Sequence, residues 1–261
     1  MRAMNIAATG MMAQQTNVEV ISNNIANINT TGFKRQRAEF QDLLYQNERR
    51  VGSDATDQGG IVPSGVQIGL GVHTAAVNRL FEQGNLVNTG NKLDVALSGR
   101  GFFQVTLPDG SKAYSRAGSF QLSPNGVIVN QDGHQIVPGI TVPNDAIDIT
   151  INESGQVLIT VPGQTAQQNV GQLELANFPN EAGLQSIGDN LFTETAASGS
   201  PTTGVPASTG FGSVRQGFLE TSNVNIVQEI TDLITAQRAY EMNSKVIETS
   251  DQMMSTVTQI R

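Results

Sequence analysis

Residues 3–28 read AMNIAATGMMAQQTNVEVISNNIANI, and the periodicity of that stretch decides the architecture. Met4, Met11, Val18 and Ile25 recur every seven residues, Ala7, Ile21 and Ile28 fill the complementary positions, and only Gln14 interrupts the stripe. Apolar residues at this spacing predict a coiled-coil helix. At 1.5 Å per residue it would be roughly 40 Å long. The segment Asn27-Ile28-Asn29-Thr30-Thr31-Gly32 supplies stop signals, with Gly32 as the expected C′ residue.

Within residues 1–33 only Arg2 and Glu19 are charged. A helix that faces water normally carries a charged face. This one has Asn, Gln, Thr and Ser opposite its stripe, which predicts contact on several sides. The candidate partners are the C-terminal helix and further copies of the chain; pairing against the chain's own β core is the alternative. The C-terminal end mirrors the first, since Ile226, Leu233, Tyr240, Ile247 and Met254 recur every seven residues and Ile230, Ala236 and Val257 widen the stripe. Ser222 or Asn223 is the expected N-cap, and residues 229–232 place negative charge near the helix start. A single narrow stripe offsets little ordering entropy, so such helices are marginal alone. The predicted assembly interface is Met4, Met11, Val18, Ile21, Ile25 and Ile28 with Ile226, Ile230, Leu233, Tyr240, Ile247 and Met254.

The middle reads as β. Turn pairs Asp109-Gly110, Asn125-Gly126 and Asp132-Gly133 separate short runs at 102–105, 119–122, 127–129 and 135–137, the rhythm of consecutive hairpins. A further hairpin is predicted from 147–151 and 156–161 through Glu153-Ser154-Gly155, and another strand at 173–178. Residues 195–212, rich in Ser, Thr, Gly and Pro, read as a linker or long loop. Residues 51–71 admit two readings: a flexible loop, or an extended hairpin that orders against a neighbouring subunit, since Val66-Gln67-Ile68-Gly69-Leu70-Gly71-Val72 has strand character.

Composition narrows the function classes. The 261 residues include 27 glycines, no cysteine and no tryptophan, and only 5% are aromatic. Disulfides, thiolate metal sites and cysteine nucleophiles are therefore excluded. The net charge of −8 disfavours nucleic-acid binding, which needs basic surface. Residues 117–214 contain no Lys or Arg but carry Asp132, Asp145, Asp148, Glu153, Glu174, Glu181, Asp189 and Glu194. This one-signed stretch suits either a basic partner or simple solubility. No apolar run approaches 18 residues, so no membrane insertion is expected, and the N-terminus lacks the apolar core of a cleavable secretory signal. His73 and His134 lie apart with no ligand spacing. Ser98 lacks the preceding glycine of a nucleophile elbow, and Gly69-Leu70-Gly71 is followed by no Lys-Ser/Thr. Neither an enzyme nor a cofactor or metal is expected.

Three stretches carry a family resemblance. Ser22-Asn23-Asn24-Ile25-Ala26-Asn27-Ile28-Asn29-Thr30-Thr31-Gly32-Phe33-Lys34 resembles the N-terminal signature of bacterial flagellar rod and hook proteins. Residues 84–97, followed by Gly99-Arg100-Gly101-Phe102-Phe103, resemble the central motif of the same family. Glu220-Thr221-Ser222-Asn223-Val224-Asn225 and Gln237-Arg238-Ala239-Tyr240-Glu241-Met242-Asn243-Ser244-Lys245 resemble its terminal signature. The motif residues singled out are Asn23, Asn24, Ala26, Asn27, Thr31, Gly32, Phe33, Gln237, Arg238, Tyr240 and Asn243. Within the family, length and residues 45–72 resemble the distal rod more than the hook.

The resemblance implies an α+β axial subunit with discontinuous terminal coiled-coil helices, an extended connecting region and a central β-rich domain. It implies a terminal helical domain (1–33 and 220–261), a connecting domain (34–94 and 205–219, with 46–72 extended) and an outer β domain (95–204). Copies would form a hollow helical tube crossing the periplasm, exported without signal cleavage by the flagellar type III apparatus. Its partners would be copies of itself, proximal rod proteins, hook protein and the peptidoglycan and outer-membrane rings. Asp145, Asp148 and Glu153 would form its outer acidic surface. A proximal-rod or hook subunit, or a secreted β-domain binding module, are the alternatives.

Overall fold

The computed structural model describes residues 2–49, 64–163 and 166–259. It is an α+β chain with a helix at each end of a β-rich centre. Two compact units share it: Met1–Ile25, Gln36–Asn78 and Asn225–Arg261 form one, and Ala26–Arg35 and Arg79–Val224 the other.

In the first unit, helix α1 spans Arg2–Ala26 and helix α2 spans Ile226–Gln259. Asn24 Nδ2 donates to Glu229 Oε2 at 3.0 Å, and a Cβ placed on Gly10 would lie 2.9 Å from Asn243 Nδ2. From 10 to 24 on α1, and from 243 back to 229 on α2, the helices each advance fourteen residues, so they run antiparallel in register over four turns. The seam on α2 is small and polar: Glu229, Ala236 and Ser250 are buried at intervals of seven, with half-buried Asn243 between them. The apolar heptad is offset from it. Ile226, Ile230, Tyr240 and Met254 are exposed, while Leu233 and Ile247 are half-buried. A knobs-into-holes seam of the predicted apolar residues therefore does not join the two helices within one chain. On α1 the buried residues are Ala7, Ala13, Val20, Ile21 and Asn24, and Met4, Met11, Val18 and Ile25 are half-buried.

Strand Gln36–Asp42 pairs with Val72–Arg79, and Tyr45–Arg49 pairs antiparallel with Val66–Gly69, Gln46 opposite Ile68. The later part of the ambiguous 51–71 segment is thus a hairpin arm within the chain. Residues 50–63 lie outside the described residues, as does the Val257 side chain. Every residue of Tyr45–Arg49 is exposed.

The second unit is built around strand Phe102–Thr106. It pairs with Lys112–Ser115 along one edge; Gln135–Ile136 and Leu175–Asn177 share the other. The expected hairpins form, Gln121–Leu122 with Ile128–Val129 and Ile128–Val129 with Gln135–Ile136. Asp148–Ile151, Gln156–Thr160 and Gln168–Gln172 make a three-stranded meander whose first turn ends at Gly155, with φ +76°. The core gathers Val95, Leu97, Phe103, Phe120, Ile128, Val157 and Leu175, with Phe103 and Phe120 edge to face at 5.0 Å.

Three local expectations are corrected. Helix α1 stops at Ala26, so Gly32 is no C′ glycine; it holds φ +69° six residues later, where a Cβ would lie 2.8 Å from the Ala117 nitrogen. The N-cap of α2 is Asn225, whose Oδ1 accepts from the Val227 and Gln228 amides at 3.1 and 3.4 Å, rather than Ser222 or Asn223. Residues 195–212 are turns and loop apart from Thr202–Gly204, but not a linker: that strand pairs with Leu175–Asn177, and Ser198 and Pro206 are buried. Ser/Thr/Gly/Pro content marks turns but does not show whether they pack.

Candidate functional site

Two features invite a functional reading: a buried charge cluster in the second unit and the helix faces of the first. The cluster starts from sequence positions that cannot pack alone. Strands Leu86–Asn88 and Phe218–Glu220 pair, as do Val95–Ser98 and Ser213–Gln216, so the C-terminal stretch completes ladders begun by residues 86–98. That pairing carries Glu220 into the interior, 1% exposed. Its Oε1 accepts from Lys34 Nζ at 2.6 Å and from the Gly84 amide at 2.9 Å, and its Oε2 from Arg116 Nε at 3.1 Å. Lys34 also donates to Glu82 O at 2.7 Å, and Arg116 Nη1 to Gly99 O and Gly101 O at 2.9 and 2.6 Å. One anion and three carbonyls thus compensate two buried cations, the arrangement a buried charge requires. Burial pushes the Lys34 ammonium below the usual lysine range, and Glu220 pulls it back up.

Around the cluster, the Gly32 amide donates to Glu220 O at 2.8 Å. Asn223 Oδ1 accepts from the Arg35 amide at 2.7 Å, and its Nδ2 donates to Leu80 O and Glu82 O, each at 3.0 Å. Asn190 Nδ2 donates to Thr31 O at 3.2 Å. In the first unit, Asn24 and Gln36 exchange two bonds of 2.8 Å while Asn24 also holds Glu229.

The motif residues therefore divide. Asn24, Gly32 and Thr31 are structural staples; Asn27 accepts from the Thr30 hydroxyl at 3.1 Å and Phe33 is half-buried. Asn23, Ala26, Gln237, Arg238 and Tyr240 are exposed, with Arg238 ion-paired to Glu241, and Asn243 faces Gly10. Ile28 is half-buried. Sequence reasoning quoted Lys34 and Glu220 without assigning them a role, read Asn223 as a helix N-cap and Glu229 as charge near a helix start, and missed Arg116. The available signal was that Lys34 and Glu220 are the only charged residues of the stretches 22–34 and 220–225.

The acidic residues are less one-signed than their stretch. Asp145 and Glu153 are exposed, but Asp148 pairs with Lys92 at 2.7 Å and Glu181 with Arg100 at 2.9 Å, both cations supplied from outside 117–214. Lys92 holds the Asp148 carboxyl below the usual aspartate range. His73 lies exposed on a strand and His134 in a turn. Among the described residues, no group of three or more His, Asp or Glu could hold a metal, and no helix is long and apolar enough to cross a membrane.

Three family descriptions match the chain in order. "Flagella basal body rod protein" covers residues 4–34, "Flagellar hook protein FlgE/F/G D1 domain" covers 96–159, and "Flagellar basal body rod FlgEFG protein C-terminal" covers 215–260. Each matched stretch contributes one ion to the buried cluster: Lys34, Arg116 and Glu220. The class is therefore that of flagellar rod and hook proteins. The chain is 58% identical over 258 residues to flagellar basal-body rod protein FlgG of Agrobacterium fabrum, covering 99% of this chain and 98% of the relative. It is 57% identical over 261 residues to FlgG of Caulobacter vibrioides, covering all of both, and 36% identical over 266 residues to FlgG of Bacillus subtilis, covering 100% and 99%. The chain belongs to the flagellar basal-body rod protein family.

Proposed function

We propose that the chain is a structural subunit of the distal rod, polymerising helically into a hollow, rigid tube that transmits torque to the hook and conducts exported subunits. The observation that carries this reading is the apolar surface α2 leaves uncovered: Ile226, Val227, Ile230, Ile234, Met242 and Met253 are between 45% and 71% exposed. Burying one such side chain fully is worth about 1.5–3 kcal/mol, so stacked copies gain what one chain forgoes. Segments 1–33 and 220–261 form the inner wall, 34–94 and 205–219 connect, and 95–204 faces outward. Segment 46–72 bridges adjacent copies and stiffens the connecting layer. Proximal rod proteins, hook protein and the surrounding rings are the other partners, and the flagellar type III apparatus exports the chain without signal cleavage. The rod subunit works as a structural part, with no catalytic step, nucleic-acid partner or membrane insertion.

Hydrogen exchange tests the reading. In dilute monomer α1 and α2 exchange rapidly; in polymer both are protected. Equal protection in the two states defeats it. Placing Lys at Asp145, Asp148 and Glu153 is expected to alter ring assembly or swimming while tubes still form; unchanged rings and swimming argue against an outward acidic face.

A further inference from the structure

The first unit carries a groove and a ridge that stay open among the described residues. The groove, of about 370 Å³, runs between α1 and the strand beginning at Val72, and is lined by Thr9, Met12, Leu43, Val72 and His73. Met12 at its edge is 69% exposed. One anion borders it, Glu19, whose carboxylate accepts only from the Gln15 amide at 3.2 Å among the described residues. The ridge lies on α2. Met242, Val246, Thr249 and Met253 follow one another at helical spacing along one face, with Met242, Val246 and Met253 70%, 43% and 61% exposed. Lys245 sits beside them, exposed and without an ion pair among the described residues, whereas the other cation of α2, Arg238, is engaged by Glu241. Groove and ridge thus both expose apolar side chains, among threonines, glutamine and histidine in the groove, and Glu19 and Lys245 beside them carry opposite charge, with Glu241 and Glu248 four residues before and three after Lys245 on α2.

We propose that the α2 ridge of one copy seats in the α1 groove of the next, with Lys245 meeting Glu19. This rests on the rod reading and specifies its helix contact. The surfaces differ on the two sides, so the contact is heterologous and propagates from copy to copy instead of closing a dimer. The apolar side chains supply affinity, and the single charge pair fixes register.

The cysteine-free chain makes the test direct. Met12→Cys and Val246→Cys chains are each expressed alone, then together, in cells lacking the native copy, and basal bodies are isolated and oxidised. The expected result is that only the mixture, and neither chain alone, gives a disulfide-linked pair. Met12→Cys mixed with Val227→Cys, a residue on another face and 71% exposed, is the control and gives none. In parallel, Glu19→Lys and Lys245→Glu are each expected to reduce swimming roughly threefold or more through like-charge contact, and the double exchange to restore it. Swimming and assembly with no linkage above the control, or a double exchange no better than the singles, overturns the contact and leaves the rod reading intact. Folded cysteine chains that never enter basal bodies overturn the rod reading itself, and the contact with it.

Discussion

Glu220 receives Lys34 at 2.6 Å, with 0% and 1% of the two side chains exposed, across 186 residues of chain. Neither charge has water to fall back on, so the loss of one leaves the other stranded. Glu220→Gln is expected to destabilise the second unit by about 3–5 kcal/mol, the usual cost of breaking a buried pair from one side. Lys34→Met, which leaves Arg116 as the carboxylate's counter-ion, should cost less. Urea unfolding followed by tryptophan-free probes such as far-UV circular dichroism measures both, and equal, small shifts would contradict the cluster's role.

Gly32 and Gly133 separate backbone strain from steric exclusion. Both hold positive φ, +69° and +83°, but a Cβ meets the Ala117 backbone nitrogen at 2.8 Å in one case and nothing within 4 Å in the other. Gly133→Ala should cost about 1 kcal/mol from conformation alone. Gly32→Ala should cost distinctly more, because backbone must move, and thermal unfolding of the two variants checks the order.

Asn225 caps α2 through two backbone amides. Asn225→Ala should remove about 1 kcal/mol of helix stability, and Asn225→Ser should retain most of it. The readout is amide exchange in the first turn of α2. Ser222→Ala should leave that turn unchanged, since the Ser222 hydroxyl serves the Val224 amide at 3.3 Å.

The Lys92–Asp148 pair gives a pH dependence with a definite sign. The folded carboxyl is held low, first by the Lys92 hydrogen bond and then by the Ile149 amide. Its contribution is present above the ordinary aspartate value and is lost as pH falls through the lower folded value. An NMR titration should therefore place the Asp148 midpoint below the ordinary aspartate value, and Lys92→Gln should move it upward. The pair is exposed, so its effect on stability is small.

The architecture was legible where order is local. Periodicity found both helices, and the turn pairs found the hairpins from 102 to 137, because each depends on residues a few positions apart. The charge cluster was not legible, since Lys34, Arg116 and Glu220 meet only once distant strands have paired. The helix seam was hidden for a different reason. Glu229, Ala236, Asn243 and Ser250 also recur by sevens, but small and polar residues leave no mark in an apolar pattern. The stripe that did stand out, Ile226 to Met254, is mostly turned away from that seam. Asn225 as cap was missed because Ser222 and Asn223 have the same chemistry two and three positions earlier.

The ladders that seat Glu220 have a consequence in time. A ribosome releases Lys34 and Arg116 long before the residue that neutralises them, and strands 86–88 and 95–98 wait for partners at 218–220 and 213–216. Those two ladders and the charge cluster therefore cannot close on a partly made chain, and they lock from its trailing end.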